Sequence, residues 1–221
     1  MSKKIRFYIV TLGCPKNEVD SEIISSHLKR EGYQEVLSPE KSDVILVNSC
    51  GFIKAAKEET LDTVFSFHRR RKIHQKILML GCLAQRYKGE IEKILPEVDG
   101  FIGADAYNRI GEIVKNIVEN SSVGKYWGNE KSVSMLYNSS GRNFLKSENS
   151  YTYIKIADGC SNRCSFCAIP IIKGKYRSRR IDDILEETEN LIKSGCLEIG
   201  LVSQDLTAYG LDLGYKDGLT D

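Results

Sequence analysis

The sequence predicts an α/β protein: a parallel, doubly wound sheet over residues 1–120, then a second strand–helix–strand unit over residues 151–221. Three observations carry this. Short β-branched runs alternate with helix-length segments through the first 120 residues, the pattern of βαβ units. Residues 43–48 (Asp-Val-Ile-Leu-Val-Asn) and 76–80 (Lys-Ile-Leu-Met-Leu) are nearly continuous apolar runs, as strands covered on both faces are. Residues 121–150, rich in Ser, Asn, Gly and Lys, then break the periodicity and read as a linker, with room for a short strand at 133–137.

Each element has its own signal. Residues 6–12 are β-branched and aromatic, a strand that ends at Gly13-Cys14-Pro15. Asn17 is placed to cap a helix whose apolar face is Val19, Ile23, Ile24 and Leu28, with Gly32 as its stop. A less marked strand falls near 34–37. The strand at 43–48 ends at Ser49-Cys50-Gly51, and a helix follows from Lys54 to near His68. The strand at 76–80 ends at Gly81-Cys82. A short helix over 89–95 stops at Pro96, Phe101-Ile102 form a brief strand, and 109–119 form a closing amphipathic helix. Past the linker, 151–156 is a strand, 181–193 a helix with Ile184, Leu185, Thr188, Leu191 and Ile192 facing inward, and 197–202 a second strand.

Composition narrows the function classes. The 221 residues suffice for two domains with real cores, and 41% hydrophobic with 28% charged residues is globular. A net charge of +2 offers no global electrostatic argument for nucleic acid. No run of about eighteen apolar residues exists, so neither a membrane span nor a membrane partner is expected. The start, Met-Ser-Lys-Lys-Ile-Arg, lacks the features of a signal peptide. A cytoplasmic protein is the expectation, and there seven cysteines point to metal ligands or reactive thiols more than to disulfides.

The densest chemistry is Asp158 to Pro170, Asp-Gly-Cys-Ser-Asn-Arg-Cys-Ser-Phe-Cys-Ala-Ile-Pro, which packs Cys160, Cys164 and Cys167 into eight residues. Three thiolates on one loop at the carboxyl end of a strand can converge on one inorganic centre. A four-iron cubane held by three of them keeps one iron open for a small molecule, as catalytic zinc sites keep one position open. A zinc site short of one ligand, or three unrelated buried thiols, are the alternatives; none of the three histidines lies near this loop. A second set is dispersed. Cys14, Cys50 and Cys82 each follow a strand and adjoin a glycine, and sites in open α/β sheets form at those carboxyl ends. Three buried small hydrophobes are the alternative there.

The Cys-x-x-x-Cys-x-x-Cys loop, with Phe166 before the third cysteine, resembles the signature of the radical S-adenosylmethionine (SAM) enzymes. That resemblance implies a [4Fe-4S] cluster whose open iron binds SAM, cleaved by one electron to a 5′-deoxyadenosyl radical. Thr11 to Glu22, Asn48 to Ile53 and Gly81 to Tyr87 resemble the amino-terminal domain of the methylthiotransferases, where the corresponding cysteines hold a second [4Fe-4S] cluster. Pro15-Lys16-Asn17 and the run from Gln204 to Leu213 are similar to the RimO-like branch; Leu206 departs from that branch's pattern by one residue. The branch adds a methylthio group to Cβ of an aspartate in the twelfth small-subunit ribosomal protein. The implied partners are that protein and an electron donor of flavodoxin or ferredoxin type. Phe166, Gln204 and Asp205 are the residues expected near SAM. The resemblance also implies further barrel units and a carboxyl-terminal TRAM domain, so with its last residue at Asp221 the second unit is expected to be a partial barrel with uncovered apolar faces. Methylthiolation of a tRNA adenosine (MiaB-like) is the nearest rival, and an inactive or electron-carrying iron–sulfur protein is a rival of another class.

Other residues carry blander expectations. Cys196 reads as a packed, inert thiol. The run Arg69-Arg70-Arg71-Lys72 reads as a solvated helix end, with an RNA contact as the functional reading. Lys173, Lys175, Arg177, Arg179 and Arg180 crowd one loop beside the cysteines and are candidates for contacts to an anion.

Overall fold

A computed structural model of the chain describes residues 4–120, 125–128, 142 and 150–220. The first unit runs β1 (Arg6–Thr11), α1 (Pro15–Arg30), β2 (Gln34–Glu35), β3 (Val44–Ser49), α2 (Lys54–Arg70), β4 (Lys76–Gly81), α3 (Cys82–Tyr87), α4 (Ile91–Ile94), β5 (Gly100–Ile102), α5 (Ile110–Asn120) and β6 (Lys125–Trp127). Its six strands form one sheet in the order β2-β1-β3-β4-β5-β6, parallel at every pairing. The chain winds one way from β1 to β2 and the other way from β3 onward. The reversal leaves a crevice between the carboxyl ends of β1 and β3.

Side-chain alternation explains why the central strands read as unbroken apolar runs. In β3, Val44 and Leu46 join the core under α1 and α5, whereas Ile45 and Val47 join the core under α2, α3 and α4. In β4, Leu78 and Leu80 go to the first face and Ile77 and Met79 to the second. All eight are buried, so neither face of these stretches leaves a position for a solvated polar side chain.

The second unit contains β7 (Tyr151–Lys155), β8 (Ala157–Asp158), α6 (Ile169–Lys173), β9 (Arg177–Ser178), α7 (Ile181–Lys193) and β10 (Glu198–Val202). β7 and β10 pair in parallel through the α7 crossover, and β8 pairs antiparallel with β9. Ile154, Ile156, Tyr176, Leu191, Cys196 and Tyr209 form its core, so Cys196 is a packed thiol. The two units touch where α1 packs on β7 and α3 on α6. Among the described residues, no helix is long and apolar enough to cross a membrane.

Several expectations change. Asn17 is not the cap of α1: Pro15 occupies the first helical turn and Cys14 is the N-cap, because proline's fixed φ suits that position. The segment expected as a linker supplies β6, which extends the sheet beside β5 through Lys125–Trp127. Three residues are too short to leave a periodic signal. The strand expected at 133–137 lies outside the described residues. Helix α3 was not expected, and a 3-10 turn at Lys88–Glu90 occupies the start of the helix expected at 89–95. On α7 the inward face is Ile184, Glu187, Thr188 and Leu191, while Leu185 and Ile192 are exposed. Apolar periodicity alone passes over Glu187, which is buried because two arginines meet it.

Candidate active site

The dispersed cysteines come together through the strand ends. Cys14 caps α1 directly past β1, Cys50 follows β3, and Cys82 opens α3 directly past β4. Side-chain hydrogen bonds stitch these ends. Asn17 Nδ2 donates to the Leu12 carbonyl at 2.8 Å and to the Ser49 carbonyl at 3.2 Å. Asn48 Nδ2 donates to the Asn17 carbonyl at 2.8 Å and to Ser21 Oγ at 2.9 Å, and Ser49 Oγ donates to the Leu80 carbonyl at 2.6 Å. Two flanking glycines let the ends approach. Gly13 has φ +103° and a Cβ there would lie 2.6 Å from Cys50 Cβ; Gly81 has φ +93° and a Cβ there would lie 2.5 Å from Asn48 Oδ1.

The other three cysteines sit on the loop between β8 and α6. The Cys160 N–H donates to the Gly174 carbonyl and the Cys167 N–H to the Cys164 carbonyl, each at 3.1 Å. Cys160 is buried, Cys167 half-buried and Cys164 exposed. Asn162 Nδ2 donates to Asp205 Oδ2 at 2.9 Å, tying this loop to the one after β10, and Tyr176 Oη, from beyond α6, donates to the Asp205 carbonyl at 2.8 Å.

Both sets face one cavity of about 870 Å³, lined by Cys14, Cys50, Cys82, Cys160, Cys164 and Cys167, with Lys16, Lys173 and Gln204 among the remaining wall. Among the described residues, no three His, Cys, Asp or Glu side chains form a site for a single metal ion. A cubane asks for less convergence, because each thiolate takes a different iron corner. The donor set, soft thiolates in two groups of three around a roomy cavity, fits iron–sulfur clusters. Burial pushes the Cys82 thiol up to about 11, with Lys173 opposing the shift. A thiol held protonated by desolvation becomes a thiolate once a metal coordinates it.

Beneath the cavity lies a buried set of four charges. Asp20 of α1 accepts from Lys155 of β7 and, at 3.3 Å, from Lys173 of α6. Asp158 of β8 lies 3.4 Å from the Lys155 ammonium and 3.6 Å from that of Lys173. All four residues are buried. Burial alone would raise the Asp158 carboxyl, but Lys155 and Lys173 hold it well below the usual carboxylate range. Burial likewise opposes charge on Lys173, and Asp158 and Asp20 override it, so its ammonium is held well above the ordinary value. A second linkage joins Glu22 of α1 to Arg142, which also meets Glu187 at 2.6 Å, and Glu187 in turn pairs with Arg179 at 2.5 Å.

The expected SAM neighbours divide. Gln204 lines the cavity, and its Oε1 is buried without a hydrogen-bond partner among the described residues. Asp205 is outside the wall; its carboxyl is held low by a 2.7 Å hydrogen bond from Thr207, partly countered by desolvation and reinforced by Asn162. Phe166 is 83% exposed and does not line the cavity. Of the basic loop, Lys173 and Arg179 are buried in ion pairs and Arg180 is exposed beside Asp182. The other basic run serves the fold: Arg71 pairs with Asp99, and Lys72 Nζ donates to the Glu40 carbonyl at 2.8 Å. Sequence reasoning missed Asp20, Lys155, Asp158, Arg142 and Glu187. Asp20 left one signal, an acid spaced three and four residues from Ile23 and Ile24 on the apolar side of α1.

Two family models match the chain: the uncharacterized protein family UPF0004 over residues 6–103 and the radical SAM superfamily over residues 154–215. Similar relatives bear the name ribosomal protein uS12 methylthiotransferase RimO. The one from Carboxydothermus hydrogenoformans is 45% identical over 95% of this chain and 46% of its own length. Those from Clostridium tetani and Nitratiruptor sp. are each 42% identical, over 95% and 100% of this chain and 46% and 48% of their own lengths. The chain therefore spans about half the length of the relatives it matches. Among solved structures, the radical SAM methyltransferase TsrM from Kitasatospora setae shares the fold with a TM-score of 0.65 at 11% identity, over 96% of this chain and 49% of that one. The cobalamin-dependent radical SAM enzyme OxsB aligns with a TM-score of 0.55 at 12% identity, over 92% of this chain and 34% of that one.

Proposed function

We propose that this chain, which matches the amino-terminal half of proteins named as uS12 methylthiotransferases, is of the radical-SAM methylthiotransferase kind and serves the transfer of a methylthio group to Cβ of an aspartate in ribosomal protein uS12. The observation that carries the reading is that two sets of three thiols, from separate units, line one cavity. Membership of the radical SAM superfamily implies SAM and a [4Fe-4S] cluster. We assign that cluster to Cys160, Cys164 and Cys167, and a second [4Fe-4S] cluster to Cys14, Cys50 and Cys82. When bound, the first cluster and SAM supply a radical able to take hydrogen from an unactivated carbon, a step outside acid–base chemistry.

The chain's own residues would bind and orient. Gln204 Oε1, buried at the cavity wall and unpaired, suits an N–H donor such as the SAM amino group. Asn162 and Asp205 would hold the cysteine loop against the loop after β10. The ion pairs of Asp20 with Lys155 and Lys173 would fix the distance between the two thiol sets, since positioning of reactants is worth orders of magnitude in rate. Electrons would come from a flavodoxin- or ferredoxin-type donor.

The test is anaerobic reconstitution followed by three measurements. About eight iron atoms per chain are expected, four for each cluster. SAM with dithionite should release 5′-deoxyadenosine, and uS12 should gain the mass of a methylthio group. Mass gained on tRNA alone would reassign the substrate to an adenosine. A fully loaded sample that releases no 5′-deoxyadenosine would leave an iron–sulfur protein without transferase chemistry.

A further inference from the structure

We propose that Lys16 is the group that recognises the carboxylate of the substrate aspartate, and so sets specificity for an acidic protein side chain; this rests on the function proposed above. Lys16 stands in the first turn of α1, two residues past Cys14, and lines the cavity shared by both thiol sets. Its ammonium reaches across to the second unit, where its single described bond is to the Ser203 carbonyl at 3.4 Å. That length is near the limit of a hydrogen bond, so the group is readily redirected.

Charge in the cavity favours the same assignment. Lys173, the other lysine in the wall, is committed to Asp20 and Asp158. Lys16 has no acidic partner among the described residues. Phe52, Ile53, Ala56 and Ile169 make much of the neighbouring wall apolar, which strengthens the pull of the ammonium on an anion; Glu59, the acid in that wall, forms no ion pair with Lys16 among the described residues. The amino-terminal end of α1 adds partial positive charge at the same place.

The chemistry of the substrate then explains the position. In aspartate the carboxylate carbon is bonded directly to Cβ. An ammonium that holds the carboxylate between the two thiol sets therefore brings Cβ into the space between them. A neutral adenine would have no use for this charge.

The experiment measures affinity rather than turnover. The full 221-residue chain, with clusters rebuilt anaerobically, is titrated with fluorescently labelled uS12 carrying its target aspartate and with uS12 carrying asparagine there. The wild-type chain should bind the aspartate form about tenfold more tightly, the scale of one hydrogen bond between charged groups. Lys16→Met should bind both forms alike, within about twofold, and Lys16→Arg should restore most of the preference. Iron content should be the same in all three proteins. A Lys16→Met protein that keeps the tenfold preference overturns the inference. So does wild type that binds both forms equally, although that result leaves uS12 as the substrate. Binding of tRNA but of neither uS12 form overturns the function proposed above and the inference with it.

Discussion

The two thiol sets occupy one cavity but are built in opposite ways. Cys160, Cys164 and Cys167 share one loop, held by backbone bonds within it and to Gly174 and by one Asn162–Asp205 contact to the loop after β10. Cys14, Cys50 and Cys82 come from three strands up to 68 residues apart and meet because β1, β3 and β4 are in register. The first arrangement does not depend on the register of several strands. The second is a readout of the whole parallel sheet, since a slip of one residue turns every side chain to the other face. Dispersed ligands make a site depend on global folding; clustered ligands make it depend on local geometry.

The sharpest break of this comparison removes one set at a time. Replacing Cys14, Cys50 and Cys82 together by alanine should halve the iron of the reconstituted chain, from about eight atoms to about four, and spare SAM cleavage. Replacing Cys160, Cys164 and Cys167 should also halve the iron but abolish 5′-deoxyadenosine. Equal loss of all iron in both variants would mean that the two sets serve one centre.

Next in size is the seam between the units. Asp20→Ala leaves Lys155 and Lys173 buried with Asp158 as their shared acid, and should cost about 3–5 kcal/mol in denaturant unfolding. A loss well under 1 kcal/mol would show that water reaches these charges. Glu187→Ala strips the acid that Arg142 and Arg179 share, a loss of the same order, about 3–5 kcal/mol. Arg142 retains Glu22, so this variant should fall at the lower end of the range.

The smallest change tests the dispersed set alone. Gly81→Ala puts a Cβ at φ +93° and 2.5 Å from Asn48 Oδ1. Strain and overpacking together should cost about 2–4 kcal/mol. Cys82 should label faster with a thiol reagent in the cluster-free protein, while Cys164 labels at an unchanged rate. Unchanged labelling of Cys82 would mean that the strand end tolerates the methyl group.

Much of this was legible in the chain. Continuous apolar runs marked β3 and β4 because both faces are covered, and strand-end positions marked Cys14, Cys50 and Cys82 because crossovers place all parallel carboxyl ends on one rim. β6 was not legible, since three residues beside an existing sheet edge need no periodicity of their own. Nor were Leu185 and Ile192 as exposed residues, or Glu187 as a buried one: helical spacing reports apolar faces, not the partners that make burial of a charge tolerable.

The amino-acid sequence by itself determined the α/β class, the order of the longer strands and helices, and which six cysteines were available as ligands. These are local properties of period, turn chemistry and spacing. Only the tertiary structure decided that both thiol sets face one cavity, that Asp20 locks α1 to Lys155 and Lys173, and that Lys16 reaches the second unit. Each of those depends on contacts between residues more than 100 positions apart, set by how the two units pack together.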